Sequence, residues 1–372
     1  MNPKPAMVLV VAIFFSLAGM QSVAEPRGEL LKRALDFDGV TRDYFVYVPG
    51  SAPPGPLPVV LAIHGYTSTA TGFEAVHGMN RHAEKAGYIG VYPQGSHFVA
   101  SEASGESWRV TSWNDEAANL AETRTDVPGV LPHCTAEAFD YPCPPDCSSC
   151  SRCGWTSCAD DVGFLAKVLD EVEAEFNTDT DRYYVLGVSN GGMMALRMGC
   201  NMSDRFAAVA PIIAQLAPGF ACSPTVSTPM LHLWGGEDDT VRGDGQPASD
   251  GFVYETPART IMTWSRGLGC ASLPGRWQNE TAAVNGMQCS VVRDCSISSH
   301  EVVSCEAPGV GHAWPGMSVP GASATCVTPL QAPAMPGYEV CADTSKTPGY
   351  DDWGMDLIWD FFSRYSRSDR SS

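Results

Sequence analysis

The stretch Asp181–Arg197, DRYYVLGVSNGGMMALR, decides how the rest of the chain is read. Tyr183–Leu186 is a β-branched and aromatic run suited to a buried strand, and Met193–Met198 is made of good helix formers. Between them lies Gly187-Val188-Ser189-Asn190-Gly191, a G-x-S-x-G sequence in strand–turn–helix context. Such a turn lifts a serine above the edge of a sheet at strained backbone angles. Side chains two residues before and after it would collide with neighbouring elements, and Gly187 and Gly191 remove them. The same turn sets the N–H groups of Asn190 and the first helical turn beside Ser189 Oγ, where they can face developing negative charge.

Working outward, Asp160–Phe176 carries apolar residues close to helical period and feeds the elbow strand. The Asn177–Asp181 string lacks the Gly and distal Glu of a calcium loop and reads as a helix-to-strand turn. Upstream, Leu30–Pro49 alternates about Asp38-Gly39, a hairpin signal. Pro58–Ile63 is a fully apolar strand that runs into His64-Gly65-Tyr66-Thr67. Phe73–Ala86 reads as a helix and Tyr88–Tyr92 as a second buried strand, which implies a parallel pair with a crossover. From Ser96 to Cys158 regular patterning disappears. Beyond the elbow, Ala207–Ala214, Pro229–Trp234, Val291–Cys295 and Glu301–Glu306 read as strands, and Thr256–Leu268 and Trp353–Tyr365 as helices. Alternating strands and helices predict one α/β domain over residues 25–372: a mostly parallel sheet flanked by helices, with a Cys-rich loop insertion at about 96–158.

Residues 1–24 stand apart. Lys4 precedes the apolar run Ala6–Met20, and Ser22-Val23-Ala24 ends in small residues, the pattern of a cleaved secretory signal. The run is shorter than the ~20 residues of a spanning helix, so a secreted, extracellular protein without a membrane anchor is expected. A formal charge of −19 repels phosphate backbones and argues against nucleic-acid binding. The 14 cysteines, an even number, fit an oxidising compartment. Cys147-x-x-Cys150-x-x-Cys153 has the look of a metal or iron–sulfur run, but Pro- and Ser-rich surroundings in an exported chain favour disulfides, with no metal. Asn201 and Asn279 open N-x-S/T sequons and are candidate glycosylation sites.

Acyl transfer needs a nucleophile, a base near its proton, a group that fixes the base, and donors for the oxyanion. Ser189, Asp238 and His312 follow the chain order of such a set, each in a loop directly after a predicted strand. Gly309 and Gly311 leave room for the His312 imidazole, whereas His232 lies inside an apolar strand and His64 shapes its own loop. Glu237, Asp238 and Asp239 are adjacent; spacing favours Asp238, with Asp239 second.

His64-Gly65, Tyr92-Pro93-Gln94-Gly95, Asp160–Phe164, Gly187–Met193, Phe206–Pro211 and Gly311–Gly316 together resemble the secreted polyhydroxybutyrate depolymerase and feruloyl esterase family of α/β-hydrolases, over about Gly39–Tyr365. The resemblance implies a serine carboxylesterase with Ser189 as nucleophile, His312 as base and Asp238 as acid, and with no cofactor. It implies oxyanion donors in the backbone N–H groups of Tyr66 and Asn190. The expected substrate is an ester, such as a hydroxycinnamate on a polysaccharide, cleaved by a monomer; a polyhydroxybutyrate depolymerase, an acetyl xylan esterase, an acyltransferase and a non-catalytic binding protein are the alternatives. Two departures bear on substrate: Trp234-Gly235 replaces the His-Gly of the acid loop, and the insertion is long. Trp113, Trp314 and Trp108 are candidate flat surfaces for an aromatic acyl group or a sugar ring.

Overall fold

Asp38 and Gly39 both adopt positive φ, 50° and 78°, and close the hairpin between β1 (Glu29–Phe37) and β2 (Val40–Val48) with Phe37 opposite Val40. A two-residue turn of this hand matches the twist of its strands. The computed structural model describes residues 28–101, 107–116, 133–145, 147, 153–219, 222–316, 324–342 and 353–371. The expected signal segment, residues 1–24, and Cys150 lie outside them.

After the hairpin come β3 (Leu57–Ile63), α1 (Ala70–His77), α2 (Met79–Ala86) and β4 (Ile89–Pro93). The single helix expected over Phe73–Ala86 is two, because Gly78 turns left-handed at φ 61° and its N–H caps α1 on Glu74 O. The stretch after β4 is more regular than its sequence: β5 (Ser96–Ser101) and β6 (Ser107–Ser112) form a separate antiparallel pair. Then follow α3 (Asp161–Glu175), β7 (Thr178–Val188), α4 (Asn190–Asn201), β8 (Ala208–Ile212), β9 (Met230–Gly235), α5 (Pro257–Gly267), β10 (Gly275–Arg276), α6 (Glu280–Val284), β11 (Gln288–Val292), β12 (Val302–Ala307) and α7 (Trp353–Phe362). Asp160 caps α3 by accepting the Gly163 N–H, as Thr256 caps α5 through Arg259. The expected turn at Asn177–Asp181 is mostly strand, since β7 begins at Thr178.

The described residues form a ten-stranded sheet in the order β1-β2-β4-β3-β7-β8-β9-β12-β11-β10. The six strands from β4 to β12 run parallel, and antiparallel strands flank them on both sides. Alternate residues feed two cores. In β3, Val59, Leu61 and Ile63 join the layer of α3, α4 and α5, while Val60 and Ala62 join that of α1, α2 and α7. This is the α/β-hydrolase arrangement, and it carries the loops after β3, β7, β9 and β12 to one edge of the sheet.

A third, smaller cluster lies at that edge. Cys134, Cys153, Trp155 and Phe252 pack there with Met193 of α4 and with Ala214 and Val241 of the loops after β8 and β9. The insertion is stapled by Cys134–Cys153 and Cys147–Cys158, so Cys147 and Cys153 of the metal-like run belong to different disulfides. Cys200–Cys222, Cys270–Cys295, Cys289–Cys305 and Cys326–Cys341 tie the rest of the chain.

Candidate active site

At the end of β7, Ser189 holds φ 54° and ψ −122°, the strained geometry that a nucleophile elbow demands of a residue with a side chain. The glycines around it have no room for a methyl group. A Cβ on Gly187 would lie 2.0 Å from Gly191 O, and one on Gly191 would lie 2.2 Å from Ile63 O and 2.3 Å from His64 O. The Ser189 N–H donates to Ile212 O of β8 at 2.9 Å, and Ser189 O accepts the Met193 N–H at 2.9 Å, which fixes the turn between β7 and α4.

Two further loops bring a histidine and an aspartate to this serine. Ser189 Oγ lies 2.9 Å from His312 Nε2, and His312 Nδ1 lies 2.8 Å from Asp238 Oδ2. The other Asp238 oxygen accepts the N–H groups of Thr240 and Val241 at 2.9 and 2.8 Å. That carboxylate is enclosed, with 1% of the side chain exposed against 25% for His312. A carboxylate only accepts hydrogen bonds, so Nδ1 carries the proton and Nε2 offers its lone pair to the Ser189 hydroxyl. The histidine and aspartate loops are pinned to each other: the Glu237 N–H donates to Val310 O at 2.9 Å, and a Cβ on Gly235 would meet Gly311 O at 2.4 Å. Of the three adjacent acids, Asp238 is the one at the histidine, and Asp239 and Glu237 are exposed.

The loop after β3 crosses close to the elbow, where a Cβ on Gly65 would sit 3.5 Å from Ser189 Cβ. Neither the Tyr66 nor the Asn190 N–H donates to an acceptor among the described residues, so both remain available to a substrate oxygen. His64 braces this loop as expected. Its Nε2 accepts the Gly95 N–H at 3.0 Å, its Nδ1 meets Gly65 O at 2.8 Å, and burial lowers its pKa to about 4, so the ring is neutral. His232 is likewise a buried core residue, bonded to Ser304 and Ala214.

Sequence reasoning gave the Asn190 side chain no role. Its amide pairs with the Trp113 backbone in both directions, accepting from N–H at 2.8 Å and donating to C=O at 3.0 Å. The elbow is thereby clamped to the end of β6. Gln94 was also missed, although it stands in the Tyr92–Gly95 motif; its side-chain Oε1 accepts the Ala70 N–H at 3.0 Å at the start of α1.

Two expected substrate surfaces are corrected. Trp113 is fully buried and donates its indole N–H to His64 O at 2.9 Å. Trp314 is 4% exposed and stacks on His77 with centroids 4.5 Å apart. Both rings pack the core beneath the loops. In the insertion, Tyr141 and the buried Trp155 meet the partly exposed Tyr66 ring of the loop after β3 edge-on at 5.7 and 5.4 Å. Trp234 donates its indole N–H to Ser304 Oγ at 3.2 Å and lines a cleft of ≈ 1150 Å³ with Trp277 and Glu306. Asn201 is exposed at the end of α4, whereas the Asn279 amide caps α6 and donates to Asp360 at 2.6 Å, so that its nitrogen is engaged.

No model of a known protein family matches the chain. It is 30% identical over 297 residues to the putative esterase NocK of Nocardia uniformis subsp. tsuyamanensis, covering 76% of this chain and 73% of that protein. It is 28% identical over 163 residues to feruloyl esterase B of Piromyces equi, covering 42% of this chain and 29% of that one. It is 25% identical over 238 residues to poly(3-hydroxyalkanoate) depolymerase C of Paucimonas lemoignei, covering 64% and 46%. The chain thus spans less than half the length of the last two.

Proposed function

Because the chain belongs to the polyhydroxybutyrate depolymerase and feruloyl esterase family of α/β-hydrolases, and is a carboxylic ester hydrolase, we propose that it is a secreted serine esterase that releases hydroxycinnamates such as ferulate from polysaccharide. One observation carries the chemistry: the unbroken hydrogen-bonded line from Ser189 Oγ through His312 to Asp238, at 2.9 and 2.8 Å.

In this reading the Ser189 hydroxyl gives its proton to His312 Nε2 as Oγ attacks the ester carbon, and the carbonyl electron pair moves to oxygen. The Tyr66 and Asn190 N–H groups receive that oxyanion, each donor contributing roughly 10²–10³ in rate. Collapse breaks the bond to the alcohol, which leaves with the proton from His312. Water then attacks the acyl group on Ser189 with His312 as base, and the free acid departs. Asp238 holds the imidazole in the required tautomer throughout.

The aromatic acyl group is supported by the partly exposed ring of Tyr66, which follows Gly65 in the loop that approaches Ser189, and by Tyr141 packed against it. Secretion is supported by the leader-like residues 1–24 and by the six disulfides described above. Depolymerase action on 3-hydroxybutyrate esters is the second reading, favoured by the longer stretch of this chain that aligns with a depolymerase. Hydrolysis of methyl ferulate and of a 3-hydroxybutyrate oligomer, measured side by side for the wild type and Ser189→Ala, separates them. Ferulate release that is lost in the variant supports the main reading. Cleavage of the oligomer alone moves the substrate to the polyester, and activity that survives Ser189→Ala overturns the mechanism.

A further inference from the structure

We propose that Trp108 and Phe139 form a binding platform for a neutral polysaccharide chain, which holds the sugar backbone while its ester lies at Ser189. The proposal rests on the esterase reading above and adds a site outside the triad. Most large aromatic side chains among the described residues are buried, but Trp108 is 39% and Phe139 45% exposed. Their rings meet edge to face with centroids 6.1 Å apart.

The pair is continuous with the site. Phe139 packs on Tyr141 at 4.8 Å, and Tyr141 on Tyr66 at 5.7 Å, so three ring contacts lead from the candidate oxyanion loop to the surface. A second link runs through the backbone. Trp108 lies on β6, whose Thr111 O accepts the Thr67 N–H of the oxyanion loop at 2.9 Å. The segments that carry the two rings are anchored before any ligand arrives: the Phe139 N–H donates to Asp250 O at 2.7 Å, the Tyr141 hydroxyl to Asp250 Oδ2 at 2.9 Å, and, next to Trp108, Arg109 Nε to Pro336 O at 3.0 Å. Preorganised rings lose little freedom on binding.

The surroundings select the ligand. Exposed Glu137 and Asp140 flank Phe139, and exposed Ser107 and Arg109 flank Trp108. Carboxylates only accept hydrogen bonds. A pyranose offers C–H faces to the rings and hydroxyl donors to the carboxylates, whereas a polyhydroxyalkanoate chain has acceptors alone. The charge of −19 disfavours a polyanionic glycan. A neutral, hydroxyl-rich chain fits all three conditions.

The test uses two readouts. Retention on soluble arabinoxylan is measured in a Ser189→Ala background, where no hydrolysis occurs, and the ratio of kcat/KM on feruloylated arabinoxylan to that on methyl ferulate is measured in the active protein. Trp108→Ala/Phe139→Ala is expected to weaken retention and to lower the ratio by about tenfold each. Trp108→Phe should recover part of both, and Leu273→Ala, a change at an 89% exposed residue elsewhere, should alter neither. Unchanged retention overturns the platform, as does a loss confined to binding of poly(3-hydroxybutyrate) granules. If retention falls as expected while methyl ferulate is not a substrate, the platform stands and the acyl assignment fails.

Discussion

Adding one methyl group at Gly191 puts the elbow geometry to the test. Its carbon would stand 2.2 Å from Ile63 O and 2.3 Å from His64 O, where ordinary C···O contacts are about 3.3–3.6 Å. The obstructing atoms are backbone carbonyls, one in β3 and one at the head of the oxyanion loop, so no rotamer change can relieve the overlap. Either the loop or the start of α4 must move by about 1 Å. Overpacking of this kind costs about 1–3 kcal/mol of stability. A displacement of about 1 Å between reacting groups costs on the order of 10² in rate. Gly191→Ala should therefore lower both the melting temperature and kcat/KM on a small ester, and Gly187→Ala, at 2.0 Å from Gly191 O, should do the same. Gly65→Ala, with its nearest contacts at 3.2 Å, should fall between, and Gly275→Ala, with nothing within 4 Å, should match the wild type. Thermal unfolding and ester hydrolysis across the four variants check the ranking. A Gly191→Ala protein with wild-type melting and turnover would refute the reasoning.

Three other perturbations have expected outcomes. Asp238→Asn removes the acceptor that fixes the His312 tautomer and should lower kcat by about 10⁴, while Asp239→Asn should change it less than about twofold in the same ester assay. Burial raises the Glu74 pKa to about 7, so the folded carboxyl stays protonated while the unfolded chain ionises above its ordinary 4.5. Its contribution to stability is full below pH 4.5 and is lost as pH rises through 7, by about 3 kcal/mol; Glu74→Gln should accordingly gain on the wild type in urea melts between pH 4.5 and 7.5 and hold that gain above. Arg42 and Asp161 form a buried ion pair at 2.6 Å, so Arg42→Met alone should cost about 3–5 kcal/mol in denaturant unfolding, and Arg42→Met/Asp161→Asn should recover much of it.

The features legible in the sequence were those whose cause is local. Gly187 and Gly191 announce the elbow because crowding leaves no alternative residue, and Asp38-Gly39 announces the hairpin because its turn needs two positive φ angles. What stayed hidden depends on distant partners. The apolar pattern continues from α1 into α2, and the break at Gly78 looks like any tolerated glycine until its left-handed φ is known. The β5–β6 pair, SHFVAS and SWRVTS, begins and ends each strand with serine and interrupts its apolar residues with His97 and Arg109, a composition that reads equally well as loop. Asn190 and Trp113 are 77 residues apart, and their pairing arises because the insertion returns to the elbow in space. Trp113 and Trp314 were placed as substrate surfaces because residue type and loop position were visible while side-chain direction was not. Direction decided against them, since both rings pack into the core.

The central claim is that Ser189 carries the acyl group. Rapid acid quenching during turnover of methyl ferulate, followed by digestion and peptide mass mapping, tests it most directly. The account predicts a transient feruloyl adduct on the peptide that contains Ser189, absent from the Ser189→Ala protein. A feruloyl adduct on any other residue, or rapid turnover of methyl ferulate that persists in Ser189→Ala, would contradict it.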